Sequence, residues 1–181
     1  MPYIKTISED EATGSVAANY EASKRTVGGV YETSRIISTW PELLKVEEQR
    51  YATVMVNTRS LSRMEKEAIA VAVSKRNECD YCLVHHLDAF LEAGGTRELA
   101  HLISTGAKAS ELPERIGDIL SFALSVDPTS EPVEAMQKAG FSDDEMLEII
   151  IIAGFFHDYN LRVNRFGLQL EDWFIEKENP A

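Results

Sequence analysis

Basic residues, prolines and glycines are scarce in this sequence, and cysteines are scarcer still. Eighteen Lys and Arg face thirty Asp and Glu, a formal net charge of −12. A chain so acidic repels phosphate backbones and anionic lipid surfaces, so it is expected to bind neither nucleic acid nor membrane. The acid is spread along polar faces instead of gathered in a tail, and it serves solubility. The six prolines and ten glycines sit at the edges of periodic segments, which favours long helices over many short strands. No Pro/Gly/Ser-rich linker divides the chain. No basic stretch followed by an apolar run opens it, so a signal peptide is not expected. The longest apolar run, residues 149–156, is interrupted by Gly154 and is far too short to span a bilayer. A cytoplasmic location is expected. There, two cysteines three positions apart mark redox chemistry or metal binding more often than a structural staple.

What is present is an ordinary soluble composition, 44% hydrophobic and 27% charged, in a chain long enough for one domain with a proper core. The periodicity predicts an all-α fold. Helices are expected over 11–24, stopped by Gly28-Gly29, over 31–38, and from Pro41 through the apolar stripe Leu43, Leu44, Val46, Tyr51, Val54 and Met55. Ser62 and Glu65 form a capping box that starts a helix running to about Arg76. Its apolar positions are almost continuous, so it is expected to be buried on most sides. Asn77-Glu78 breaks it, and a second helix runs from near Cys79 to Gly94-Gly95. Further helices are expected at 97–104, from Pro113 to Asp127-Pro128, and at 133–139. A last long helix opens on a second capping box, Ser142 and Glu145, and extends beyond Phe156 towards Leu170. One domain over 1–181 follows, with a helical extension (1–60), a central antiparallel hairpin (61–95) and a second helical half (96–181). The two capping boxes suggest a weak internal repeat. Equal counting pairs Cys79 with Tyr159, Cys82 with Arg162 and His86 with Phe166, so only the first copy keeps the chemistry.

That chemistry lies in residues 67–86. On a helix, positions i and i+3 share a face with Cβ atoms about 5–6 Å apart, and a disulfide needs Cα atoms roughly 4.4–6.8 Å apart. Cys79 and Cys82 can therefore close and open a bond with little backbone movement. His86 lies one turn beyond Cys82 on the same face, placed to accept its proton. Only the thiolate attacks peroxides or disulfides, and a free thiol of pKa about 8.5 is mostly protonated at neutral pH. If the chain reverses near Asn77-Glu78, a rise of about 1.5 Å per residue sets Glu67 level with His86 across the bend. There its carboxylate orients the imidazole and stabilises the protonated form. The start of a helix at Cys79 favours that sulfur as thiolate, whereas the histidine spacing favours Cys82. Cys82 is taken as the attacking thiol and Cys79 as the resolving one.

The pattern Glu67-x11-Cys79-x2-Cys82-x3-His86, with Asn77 and Tyr81 around the cysteines, resembles the AhpD-like alkylhydroperoxidase members of the carboxymuconolactone decarboxylase family. The close match covers roughly residues 61–95, and the first 60 residues and the length resemble the peroxidase-related branch. The resemblance implies an AhpD-like all-helical fold, trimers or hexamers, and thiol-dependent reduction of hydroperoxides. It implies Glu67 and His86 as the proton relay and Cys82 as the thiol that meets the peroxide. The family's best-known enzymes carry a second histidine just before the second cysteine; Tyr81 stands there here, which puts their full peroxidase rate in question.

The expected function is thus reduction of hydroperoxides, organic ones foremost, with an external dithiol or lipoamide-type reductant resetting the pair and no cofactor. Other readings stand beside it. The thiols can be buried, reduced, small hydrophobes in an oligomeric structural protein. They can relay electrons to another peroxidase. A zinc site could use the thiols with His85 and His86, but all four would sit on about two helical turns, whereas such sites usually draw ligands from separated elements. His85 points away from His86 and reads as structural or interfacial, and His101 and His157 carry no motif. Tyr159, Asn160, Arg162 and Asn164 either line the site from a neighbouring helix or form helix surface, the second being the simpler reading.

Overall fold

The computed structural model describes residues 2–178, which form ten α-helices and no strand. Chain contacts group the residues into two compact units, 1–51 with 162–181, and 52–161.

The first unit holds α1 (Gly14–Val27), α2 (Glu32–Arg35), α3 (Pro41–Tyr51) and α10 (Asp172–Glu178), and α1 and α3 contribute to a small core of Val16, Tyr20, Val30 and Leu44. The segment before α1 is fastened to this core at Ile7, whose N–H donates to Ser38 Oγ at 2.8 Å and whose carbonyl accepts from Tyr20 Oη at 2.9 Å. Gly28 closes α1 with φ 93°, a left-handed value that costs glycine little. The C-terminal helix α10 is absent from the sequence reading.

The second unit is built on α4 (Arg63–Arg76). Its capping box is present: Ser62 N–H donates to Glu65 Oε2 at 2.7 Å, and Glu65 N–H donates to Ser62 Oγ at 3.3 Å. Every residue from Glu65 to Ser74 is buried, so α4 is wrapped on all sides. Around it lie α5 (Asp80–Glu92), α6 (Arg97–Thr105) and α7 (Glu114–Leu124). The unit also holds α8 (Glu131–Lys138) and α9 (Asp143–Phe166) as far as Leu161.

Burial on all sides takes two charges of α4, Lys66 and Glu67, almost wholly out of water, beside the buried capping carboxylate of Glu65. Lys66 Nζ donates to the Val54 and Asn57 carbonyls at 3.1 and 2.8 Å and pairs with Glu148 Oε1 at 2.7 Å. Glu148 Oε2 in turn accepts the Ser60 and Leu61 N–H groups, both at 2.9 Å. A buried pair survives only when its remaining donors and acceptors are met, and here they are. Glu67 is the second buried charge and belongs to the candidate site.

The second capping box is also present, with Ser142 N–H donating to Glu145 Oε2 at 2.8 Å. The two boxes meet through one guanidinium: Arg115 Nε lies 2.5 Å from Glu65 Oε1 and Nη2 lies 2.8 Å from Glu145 Oε1. The repeat stops there. The first copy bends between α4 and α5, while the second runs on as the single helix α9 through the matching positions 157–159. That helix ends at Phe166, short of Leu170, where Gly167 takes φ 65°.

Candidate active site

The bend between α4 and α5 is what the site is built on. Asn77 caps α4, and Glu78 adopts φ 51°, the one left-handed residue other than glycine among the described residues. Cys79 is the N-cap of α5, and its N–H donates to the Ser74 carbonyl at 2.9 Å. One strained residue thus reverses the chain without a glycine, and it does so immediately before the first cysteine.

Cys79 and Cys82 are both free thiols and both buried. Glu67 is 0% exposed, and its Oε2 lies 2.6 Å from His86 Nδ1 across the bend. An ionised carboxylate can only accept, so Nδ1 carries the hydrogen and Nε2 is the nitrogen left to take a proton. Glu67 Oε1 lies 2.5 Å from Arg63 Nη2 as an ion pair, although the two are not aligned for a hydrogen bond. The Phe156 ring of α9 stands edge-on to the imidazole, centroids 4.5 Å apart, and restricts its tilt. His86 follows Cys82 by one helical turn of α5, on the same face.

The two sulfurs differ. The Cys79 thiol is held below its ordinary pKa, first by a hydrogen bond from the Cys82 thiol, against the opposing effect of burial. The Cys82 backbone N–H and the Asn160 side chain add to the lowering, and the Asp80 charge opposes it. In the resting arrangement Cys79 is therefore the anion-favoured sulfur and Cys82 its donor, the polarity that the helix start at Cys79 suggests.

Asn160 is not helix surface. It is 1% exposed, with Nδ2 donating to Ser74 Oγ at 3.2 Å and Oδ1 accepting from Asn77 Nδ2 at 2.9 Å. A signal for this was present: Ile149, Ile152, Ala153, Phe156, Asn160 and Val163 fall at helical spacing, and all are buried. A polar residue inside an apolar stripe points at a polar partner. Arg162 pairs with Glu47 at 3.4 Å, and Asn164 is exposed. Tyr159 stacks on Phe155 at 4.5 Å. His85 packs edge-on against Tyr81, the residue before Cys82, at 4.6 Å. His101 is exposed. Among the described residues no group of three or more His, Cys, Asp or Glu side chains is arranged to hold a metal ion.

Comparison with known proteins bears on the family and the fold. Residues 41–116 match the carboxymuconolactone decarboxylase family. A search of curated proteins finds no match. Among solved structures, the alkylhydroperoxidase AhpD core of an uncharacterized peroxidase-related protein from Ralstonia eutropha JMP134 superposes with a TM-score of 0.84 at 22% identity, over 97% of this chain and 95% of that one. An uncharacterized peroxidase-related protein from Silicibacter sp. TM1040 gives 0.78 at 23% identity, over 93% and 88%. The debrominase Bmp8, as a cysteine-to-alanine variant in complex with 2,3,4-tribromopyrrole, gives 0.77 at 14% identity, over 94% and 92%. At these identities the likeness is one of fold.

Proposed function

Because residues 41–116 carry the carboxymuconolactone decarboxylase family region on an AhpD-like fold, we propose that the chain is a thiol-dependent peroxidase acting on hydroperoxides, organic ones foremost. The observation that carries this reading is the buried Glu67–His86 contact at 2.6 Å, set one turn from a reduced Cys79–Cys82 pair.

His86 Nε2 takes the Cys82 proton, and Glu67 stabilises the imidazolium formed. The Cys82 thiolate attacks the outer peroxide oxygen. The O–O bond breaks, and the alkoxide leaves with the proton from His86, so that Cys82 becomes a sulfenic acid. The Cys79 thiolate then attacks the Cys82 sulfur; the S–S bond forms and hydroxide departs, taking up a proton to become water. An external dithiol or lipoamide-type reductant restores both thiols, itself becoming a disulfide. The lowered pKa of Cys79 suits a resolving thiol that must be anionic when the sulfenic acid appears.

The same lowering favours a second reading, in which Cys79 meets the peroxide and Cys82 resolves. One experiment separates them. After one equivalent of cumene hydroperoxide, mass spectrometry of the wild type should show loss of both thiols to an intramolecular disulfide. In Cys79→Ser, sulfenic acid trapped on Cys82 supports the first assignment; in Cys82→Ser, sulfenic acid trapped on Cys79 supports the second. Oxidation no faster than that of free cysteine would remove the peroxidase reading. The alternative role as an electron relay to another protein is weighed down by burial of both sulfurs, which hinders attack by a protein disulfide.

The exposed face of α9 supports assembly. Leu147, Ile151 and Leu161 are 54%, 50% and 62% exposed at helical spacing, which is costly unless covered. Further copies of this chain are the proposed cover, as a trimer or hexamer. Light scattering should report a multiple of 20.2 kDa, and Ile151→Glu should lower it. No helix among the described residues is long and apolar enough to cross a membrane. A cytoplasmic setting, reducing enough to reset the thiols, suits the chemistry.

A further inference from the structure

We propose that Asn160 is a positioning residue for Cys79: its buried amide aims a hydrogen bond at that sulfur, and Ser74 and Asn77 fix the amide. Asn160 sits on α9, outside the α4 and α5 helices that carry Glu67 and His86, and nothing in the carboxylate–imidazole pair requires it.

The hydrogen bonds assign its orientation. Oδ1 accepts from Asn77 Nδ2 at 2.9 Å, and Nδ2 faces Ser74 Oγ at 3.2 Å. Asn77 Nδ2 also lies 2.9 Å from His157 Nδ1. With His157 in the tautomer that leaves Nδ1 free to accept, both hydrogens of the Asn77 amide are directed outward, one to that nitrogen and one to the Asn160 carbonyl. Turning the Asn160 amide over would set its Nδ2 against Asn77 Nδ2, donor against donor. The chain His157–Asn77–Asn160 therefore points the N–H side of Asn160 inward, where the side chain hydrogen-bonds the Cys79 sulfur. A buried donor of fixed direction favours the charged form of an acceptor. The groups bearing on the Cys79 charge include Cys82 and Asp80 on its own helix and Asn160 on α9, with His157 hydrogen-bonded to Asn77.

The catalytic consequence rests on the redox reading above. When the dithiol reductant attacks the Cys82 sulfur of the disulfide, the S–S bond breaks and its electron pair leaves on Cys79. The Asn160 amide receives that charge. A leaving thiolate of lower pKa departs faster, so Asn160 would act in the reductive half of the cycle as Glu67 and His86 act in the oxidative half.

The test is the ionisation of Cys79 itself, in a Cys82→Ala background where it is the only thiol. Thiolate absorbance in the ultraviolet, titrated against pH, needs no peroxide and no access to the buried sulfur. A hydrogen bond to a charged group that is lost with Asn160→Leu should raise the midpoint by about one to two pH units, a fall of roughly 10- to 100-fold in thiolate below the midpoint. Asn77→Ala, which leaves Asn160 in place but unfastened, should raise it by a smaller amount and serves as the readout if Asn160→Leu does not fold. Asn160→Asp, of the same shape but with a donor replaced by an acceptor, should raise it at least as far as Asn160→Leu. A purely structural Asn160 would lower the melting temperature and leave the midpoint where it was. An unmoved midpoint in folded Asn160→Leu, or in Asn77→Ala if that variant alone folds, overturns the assignment. Because no peroxide is used, that outcome is separate from failure of the peroxidase reading.

Discussion

Glu67→Gln tests the proton relay with the least change of shape. The carboxylate is fully buried, 2.6 Å from His86 Nδ1 and 2.5 Å from Arg63 Nη2. Glutamine keeps an oxygen that can accept from Nδ1–H, so the ring stays oriented. What disappears is the negative charge opposite the imidazolium that forms when Cys82 gives up its proton. Hydrogen bonds to charged groups contribute about 1.5–3 kcal/mol. At about 1.4 kcal/mol per decade this predicts a loss of roughly 10- to 100-fold in the rate of two-thiol oxidation by cumene hydroperoxide, followed by stopped flow. The deficit should shrink at pH well above the ordinary thiol pKa of about 8.5, where Cys82 ionises without help. The fold should survive, because Arg63 is 36% exposed and water can replace its partner. If the variant matches wild type at neutral pH, the Glu67 charge is not used and the relay fails; if the deficit is the same at every pH, the loss is not one of deprotonation.

Three further predictions concern the scaffold. Lys66→Met strands the Glu148 carboxylate in the core, so urea unfolding should show a loss of about 3–5 kcal/mol, largely recovered in Lys66→Met/Glu148→Met; a loss below about 1 kcal/mol would mean that water reaches the site. In Glu145, the Ser142 backbone and Arg115 lower the carboxyl pKa to about 2, while in Glu65 and Glu148 burial is outweighed by hydrogen bonds from Ser62 and Arg115, and from Lys66, Leu61 and Ser60. Folded values below unfolded ones give stability that is whole above the ordinary 4.5 and lost as pH falls towards 2, so the melting temperature should decline through that window, and a flat profile down to about pH 3 would refute it. Gly117→Ala would set a Cβ 2.6 Å from the Ala109 backbone oxygen, which cannot swing aside; a loss of about 1–3 kcal/mol is expected, and one within about 0.5 kcal/mol would show that the 109–111 turn gives way.

Local signals were legible in the sequence, and so was one non-local contact. Both capping boxes follow from a serine and a glutamate three apart. The Glu67–His86 contact follows from counting outward from the bend at a fixed helical rise, because a tight bend leaves little slack over ten residues. Illegible were features set by chain segments far apart. Nothing in Lys66 foretells a buried ammonium, since its partners come from residues 54, 57 and 148. Glu78 carries a left-handed φ that sequence reading reserves for glycine or asparagine. Arg115 bridges two capping boxes 80 positions apart, a pairing that only tertiary packing sets.

The site also explains why the second capped helix is not a vestige of the first. α9 lacks the bend and the thiols, and Phe166 stands at the position matching His86, so it does not repeat the arrangement. Its continuity is what it contributes. Phe156 and Asn160 are four residues apart, on one face of an unbroken helix. The first touches the His86 ring and the second hydrogen-bonds the Cys79 sulfur. A rigid element of fixed rise thus contacts both the His86 ring and one of the thiols, which themselves sit in the first two turns of a helix that follows a left-handed residue. Phenylalanine at one contact can neither give nor take a proton, so it packs on the imidazole without competing with Glu67 for Nδ1. Asparagine at the other gives a hydrogen bond without a charge, so it favours a thiolate without creating a second base. A bend in α9 like that after Arg76 would separate the two contacts, and the two ends of the site could then drift independently.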